Sequence, residues 1–286
     1  MRRSSTTIEL QAADWRLCVN PVLGGSVIGL WLGNTPILRM APDKASHVDH
    51  SAAYPLLPYS NRIGQGQLSW RGQDFHLRNG FSDEPHGLHG VGFMRAWDTV
   101  TQSQTHLRLR LQHQPDAYWP FAFSAEQEFE LSPAGLRVVL RLRNTDHRAQ
   151  PMGLGWHPFF VRRAESTFDV PVHTRWPSGK DKLPLARCAV KGVRGAVADM
   201  RLDDCCEGRH HAVAVLSDAI LRVTLQADSR YWVIYTPRDA PFYCVEPVTH
   251  LSNAVQQPDP LQHGVAEVPP EGGLSLQVVL KAQRVA

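Results

Sequence analysis

The sequence predicts an all-β fold, a large antiparallel β-sandwich, on three observations. Apolar and polar residues alternate with a period of two through much of the chain, the spacing of strands with one buried and one wetted face. Glycine and proline, 21 of each, punctuate these runs with turn signals. No window carries a 3.6-residue apolar stripe longer than about two turns, so no amphipathic helix is expected to cover a sheet. The 286 residues are enough to bury a sizeable core without disulfides or metals. With no linker, repeat or low-complexity segment, residues 1–286 read as a single domain.

The elements follow in order. Trp15, Leu17 and Val19 alternate with Arg16 and Cys18, and Gly33-Asn34-Thr35-Pro36 marks a turn. Arg71-Gly72-Gln73 marks another, before Leu107, Leu109 and Leu111 alternate with Arg108 and Arg110. Ser132-Pro133-Ala134-Gly135 then turns the chain into Leu136, Val138, Leu140 and Leu142, whose opposite face carries Arg137, Arg141 and Arg143. From Pro171 to Val197 the pattern is least regular and reads as an excursion over the surface. Leu221, Val223 and Leu225 interleave with Arg222, Thr224 and Gln226, and Tyr231-Trp232-Val233-Ile234-Tyr235 reads as a strand. In Phe242-Tyr243-Cys244-Val245-Glu246-Pro247, proline has no N–H for a ladder. The strand is therefore expected to end there, with Glu246 at a cleft rim. The turn Pro269-Pro270-Glu271-Gly272-Gly273 leads into Leu274, Leu276, Val278 and Leu280.

Bulk properties exclude several functions. A net charge of +3, with no basic run beyond Arg2-Arg3 and Arg162-Arg163, argues against a nucleic-acid partner. Cysteines 18, 188, 205, 206 and 244 lack zinc-type spacing, and the adjacent Cys205 and Cys206 make a poor disulfide pair. A reducing, intracellular setting is expected. The N-terminus lacks the apolar core of a signal peptide. No stretch approaches the roughly 18 apolar residues of a membrane span. The expectation is a cytoplasmic protein, monomer or homodimer, with no membrane partner.

Five segments carry polar or titratable groups that could do chemistry. Leu56-Leu57-Pro58-Tyr59-Ser60-Asn61-Arg62-Ile63-Gly64 puts Asn61 and Arg62 after a proline-containing run, and arginine's planar fork suits hydroxyl or carboxylate oxygens in a cleft. His86 and His89 flank Gly87-Leu88, but in an extended loop they would point apart, so no metal is assigned to them. His157, in Trp156-His157-Pro158-Phe159-Phe160, reads either as a hydrogen-bonded core residue or as a proton donor. Glu246 is costly in an apolar strand unless it is paired or used. Asp203 and Asp204 are adjacent, and either register can present a carboxylate to hydroxyls. Serine-nucleophile elbows, phosphate-cradling loops and dinucleotide fingerprints are missing.

Together these segments resemble the aldose 1-epimerase (galactose mutarotase) family. The resemblance runs in order through most of the chain: Asn61-Arg62-Ile63, Leu88-His89-Gly90, His157 with Phe160, Asp203, then Glu246-Pro247. It implies a β-sandwich with the site in a concave face and no cofactor. It implies His157 as general acid on the ring oxygen and Glu246 as general base on the anomeric hydroxyl. It also implies His89 near the ring oxygen, with Arg62 and Asp203 holding other hydroxyls. Trp156 stands where longer members carry Asn, and Val91 where a second glycine is common. Aromatic walls for the sugar's C–H faces are expected from Trp156, Phe159 or Trp232. The expected activity is anomer interconversion of a free aldose. The alternatives are a hexose-6-phosphate 1-epimerase using Arg95, Arg162 or Arg163, a non-catalytic sugar-binding domain, or a metal-dependent β-barrel enzyme.

Overall fold

The computed structural model describes residues 7–42, 45–81 and 84–285. Among the described residues two large antiparallel sheets dominate, of eleven and nine strands, and the helical segments are short 3₁₀ turns. The first sheet runs Ile8–Ala12, Trp15–Asn20, Ser26–Leu32, Ala53–Leu56, Gly155–Val161, Phe242–Val248, Tyr231–Tyr235, Asp203–Gly208, Val172–Trp176 and Cys188–Ala189, with Thr35–Pro36 paired onto Ser26–Leu32. The second runs Asp98–Gln102, His106–His113, Phe123–Ser132, Gly135–Asn144, Gly273–Arg284, Leu221–Ala227, Val213–Ser217, Thr167–Val170 and Val193–Ala196.

The alternation in the sequence is the packing of these sheets. Leu107, Leu109, Leu136, Val138, Leu140, Leu276, Val278 and Leu280 of the second sheet share one buried cluster with Trp156, Cys206, Trp232, Ile234 and Val245 of the first. Each such aliphatic side chain contributes about 1.5–3 kcal/mol by leaving water. The intervening residues of the first sheet face the other way. Tyr54, Phe159, Cys205, Val233 and Cys244 form a separate apolar cluster there. That second cluster carpets the floor on which the site is built.

Register places particular side chains in rows across this floor. His157 stands opposite Tyr54 of Ala53–Leu56. On its other side, Gly155 pairs with Val248 and Phe159 with Cys244. The same register sets His157 beside Glu246, within a stretch that lacks rungs. Pro158 and Pro247 lie in that stretch, and neither has an N–H to offer. Glu246 continues the row to Val233 and Cys205. The next row of the same face runs Phe159, Cys244, Tyr235, Asp203.

Two expectations are corrected. Pro247 does not end its strand: Phe242–Val248 continues past it in the middle of the sheet, where Pro247 pairs with Trp232. Glu246 is accordingly on the floor, 2% exposed, rather than at a rim. A proline is tolerated there because the neighbouring strand offers Pro158 at the same interruption. The region from Pro171 to Val197 is also more than a surface excursion, since it supplies Val172–Trp176, Cys188–Ala189 and Val193–Ala196 near the sheet edges. Of these, Val172–Trp176 is paired on both sides, and Cys188–Ala189 and Val193–Ala196 are the last strands of their sheets. All five cysteines are free, and no helix among the described residues is long and apolar enough to cross a membrane.

Candidate active site

The segment Ser60–Gln65 crosses one end of the floor with little regular pairing, so its backbone donors need other acceptors. The Ser60 amide donates to His250 Nε2 at 3.0 Å, Asn61 to His89 Nδ1 at 3.1 Å, Gly64 to Asn253 Oδ1 at 2.9 Å and Gln65 to His86 Nδ1 at 2.9 Å. Asn61, with a positive φ of 55°, turns the chain, and its Oδ1 accepts from the Arg62 amide at 2.9 Å. His89, at φ 62°, is delivered by the facing segment, and the Asn61 amide fixes its tautomer with Nε2–H free to donate. Gly90 follows it because a Cβ there would stand 2.1 Å from the Leu57 carbonyl oxygen.

His157 and Glu246 meet on the floor, His157 Nε2 lying 3.4 Å from Glu246 Oε1. Tyr54 and Phe159 stack on the imidazole at centroid distances of 4.7 and 4.4 Å, and His89 meets it edge-on at 5.3 Å. Burial pushes the imidazole down to about 3, helped by the Arg39 guanidinium. Burial holds the Glu246 carboxyl well above the usual carboxylate range, and Asp203 adds repulsion while Arg62 opposes it. Glu246 Oε2 has no hydrogen-bond donor, which further favours the protonated form. Both shifts favour one uncharged arrangement, a neutral imidazole beside a carboxylic acid. It carries the same single proton as an imidazolium beside a carboxylate.

At the far end, Arg62 Nη1 lies 3.2 Å from Asp203 Oδ2, and its Nε lies 3.4 Å from Glu84 Oε2. Lys182 Nζ reaches the same Glu84 oxygen at 3.2 Å. Burial raises the Asp203 carboxyl despite the adjacent Arg62 cation. Strand alternation settles the choice between the paired aspartates. Asp203 faces the floor, whereas Asp204 faces the other side, binding Arg175 Nε at 2.6 Å and the Ser178 amide at 2.8 Å. Asn61, Arg62, His89, His157, Asp203 and Glu246 all line one cavity of about 490 Å³.

Trp156 does not join them. It neighbours His157, so the pleat turns it to the inter-sheet core, where it is fully buried, and Trp232 goes the same way. The aromatic walls are Tyr54, Phe81, Phe159, Tyr235 and Phe242. The cations suggested for a phosphate lie outside this cavity. Arg95 pairs with Asp116, Arg162 donates to the Pro237 and Arg238 carbonyls, and Arg163 binds Asp218 at 2.6 Å. Arg39, Glu84 and Lys182 belong to the site but escaped sequence reading, because each lies in a loop without periodicity or a recognisable neighbour. Arg39 stacks 3.6 Å over the Phe159 ring and donates to the Ser51 carbonyl at 2.7 Å.

A larger hollow of about 910 Å³ lies over the second sheet, lined by Arg110, Glu126, Arg141 and Arg143. Its charges are mutually satisfied, as in Arg110–Glu126 at 2.9 Å and Arg141–Glu128 at 2.6 Å, and it holds no histidine. The buried histidine–carboxyl pair lies in the smaller cavity. His86 uses both ring nitrogens, accepting from Gln65 and donating to the Asp181 carbonyl at 2.8 Å, and has no lone pair left for a metal. His157, Cys244 and Glu246 bring ligand-type atoms within 4.8 Å of one another. Burial, however, pushes the Cys244 thiol well up, holding it as a thiol.

Residues 6–262 match the aldose 1-epimerase family. An uncharacterised Escherichia coli K12 protein, YphB, is 26% identical over 256 residues, covering 82% of this chain and 86% of its own. The crystal structure of a candidate aldose 1-epimerase from Escherichia coli K12 superposes with a TM-score of 0.89 at 20% identity, covering 98% of this chain and 99% of that one. A galactose mutarotase-like protein from Clostridium acetobutylicum superposes with a TM-score of 0.84 at 20% identity, covering 98% and 95%. The two superpositions establish a shared fold.

Proposed function

Because the chain belongs to the aldose 1-epimerase family, we propose that it interconverts the α and β anomers of a free aldose by opening and reclosing the hemiacetal ring. The observation that carries this is the 3.4 Å approach of His157 Nε2 to Glu246 Oε1 on the floor of a cavity that also holds Arg62 and Asp203. Ring opening needs one proton delivered to the ring oxygen while another leaves the anomeric hydroxyl. Those two oxygens sit on one carbon, so donor and acceptor must lie side by side.

In the opening stroke His157 protonates the ring oxygen and Glu246 takes the proton of the anomeric hydroxyl, each transfer typically worth about 10²–10⁴ in rate. The C1–O5 bond breaks and an aldehyde forms. An imidazolium–carboxylate pair has become a neutral imidazole and a carboxylic acid, the arrangement that burial favours. The aldehyde end turns about C1–C2, and reclosure on its other face sends both protons back. No proton is consumed and no cofactor is required.

The far end holds the rest of the sugar still. Arg62 and Asp203 offer donors and an acceptor to hydroxyls, His89 Nε2–H offers a donor to the ring, and Phe81 and Tyr235 offer aromatic surface to C–H edges. Arg62 and Lys182 are already paired with acids, and Arg39 with carbonyl oxygens, which supports a neutral sugar over a phosphorylated one. Polarimetry on freshly dissolved α-glucose, α-galactose and their 6-phosphates tests the reading. Faster approach to the equilibrium rotation is expected for a free sugar. Sugar binding without acceleration would overturn it in favour of a binding domain.

A further inference from the structure

We propose that His250 and His86, which lie outside the set that touches sugar, are positioning residues: each imidazole accepts a backbone N–H of Ser60–Gln65 and so holds Asn61 and Arg62 at the angle the sugar hydroxyls need. This rests on the reading of the cavity as a sugar site. The bonds are specific. His250 Nε2 accepts from the Ser60 amide at 3.0 Å while its Nδ1–H donates to the Leu251 carbonyl at 2.8 Å. His86 Nδ1 accepts from the Gln65 amide at 2.9 Å while its Nε2–H donates to the Asp181 carbonyl at 2.8 Å. In each ring one bond fixes the tautomer that the other requires.

Each ring is nearly inaccessible, His250 at 3% and His86 at 1%. His250 is seated tightly, since a Cβ on Gly153 would fall 2.0 Å from its Cδ2. With the amide of Asn61 on His89, three imidazoles and the Asn253 side chain take four backbone donors of a six-residue segment. Arg62–Ile63 pairs with Gly87–Leu88 in a ladder only two residues long, and the flanking amides of Ser60 and Gln65, which it does not reach, are taken by the two imidazoles. His86 also ties this segment to the Asp181 loop, so Arg62 and Lys182 close on Glu84 from two connected backbones. Burial brings His250 down to about 4, keeping it an acceptor at neutral pH.

The test separates positioning from bulk stability by substitutions that mimic one nitrogen at a time. Glutamine places its amide oxygen near the Nε2 position, so His250→Gln keeps the Ser60 bond and His250→Ala loses it. At His86, asparagine's oxygen replaces Nδ1 and keeps the Gln65 bond, whereas glutamine keeps the Asp181 tie and loses Gln65. His250→Ala and His86→Gln are expected to raise KM roughly 3–10-fold, the worth of a lost hydrogen bond, with kcat nearly unchanged. His250→Gln and His86→Asn should stay near the wild-type KM. A fall in kcat at unchanged KM, or equal damage from both members of either pair, would overturn the proposal. If the wild type does not accelerate mutarotation, the functional reading fails separately. Calorimetric sugar Kd values in the same order would then still support the clamp, and an unchanged series would sink it.

Discussion

Replacing Glu246 by glutamine removes an ionisable group without changing its volume. The side chain is 2% exposed, its Oε1 lies 3.4 Å from His157 Nε2, and its Oε2 has no donor. Glutamine fits the same space but cannot take a proton from the anomeric hydroxyl. Loss of a general base costs about 10²–10⁴ in kcat, or roughly 2.7–5.5 kcal/mol of barrier, while KM should hold because Arg62, Asp203 and His89 still grip the sugar. The effect on stability runs the other way. A carboxyl whose folded pKa is raised contributes fully below its unfolded pKa and loses that contribution as pH rises through the folded value. The wild type therefore carries a buried anion at alkaline pH that Glu246→Gln lacks. The variant's melting temperature should gain on the wild type's as pH increases from about 5 to 9, at roughly 2 °C per kcal/mol for a chain of this size. Polarimetry on a panel of aldoses, alongside melting curves at several pH values, reads both. A kcat within about tenfold of wild type would remove Glu246 from the chemistry. A melting gap that closes with pH would refute its burial-raised pKa.

The pH–rate profile should be bell-shaped with a broad plateau, because the pair works with one shared proton. The acid limb, a second proton on His157, should fall below histidine's ordinary range, and the alkaline limb, loss of the Glu246 proton, above that of carboxylates; an acid limb within histidine's ordinary range, or an alkaline limb within that of carboxylates, counts against the pair as acid and base. Asp203→Asn should raise KM by roughly tenfold, the worth of one charged hydrogen bond. Asp204→Asn should leave KM unchanged and lower stability through the lost Arg175 and Ser178 contacts, and matching kinetics for the two would contradict their opposite facing. His250, with a folded pKa of about 4 against an ordinary 6.5, stabilises the fold fully above pH about 6.5 and loses that contribution as pH falls toward 4. Urea denaturation across that window should show His250→Gln less acid-sensitive by up to about 3 kcal/mol, and superimposable curves would refute it.

The strands were legible because burying one face of a sheet writes a period of two into the chain, as in Leu107-Leu109-Leu111 and Leu136 to Leu142. His157 and Glu246 were legible because a titratable group in an apolar run is costly. What was not legible is equally physical. The same pleat that presents His157 sends Trp156 to the opposite face, so adjacency in sequence misled where alternation should have decided. Pro247 looked like a strand end because its partner strand's gap at Pro158 lies nearly ninety positions away. Glu84, Arg39 and Lys182 reach the cavity from loops, whose side-chain directions no periodicity encodes.

Proton transfer in this molecule is assigned to side chains in the middle of a sheet, whereas the rim of the cavity is built from Arg39, Phe81, Glu84 and Lys182 on connecting segments. The two tasks are therefore mechanically separable. A laboratory library randomised at the rim should drift in sugar preference well before it loses turnover, and one randomised along Gly155–Val161 should lose both at once. Under the proposed reading, a change of sugar preference would begin at the rim and leave the strand-borne pair untouched.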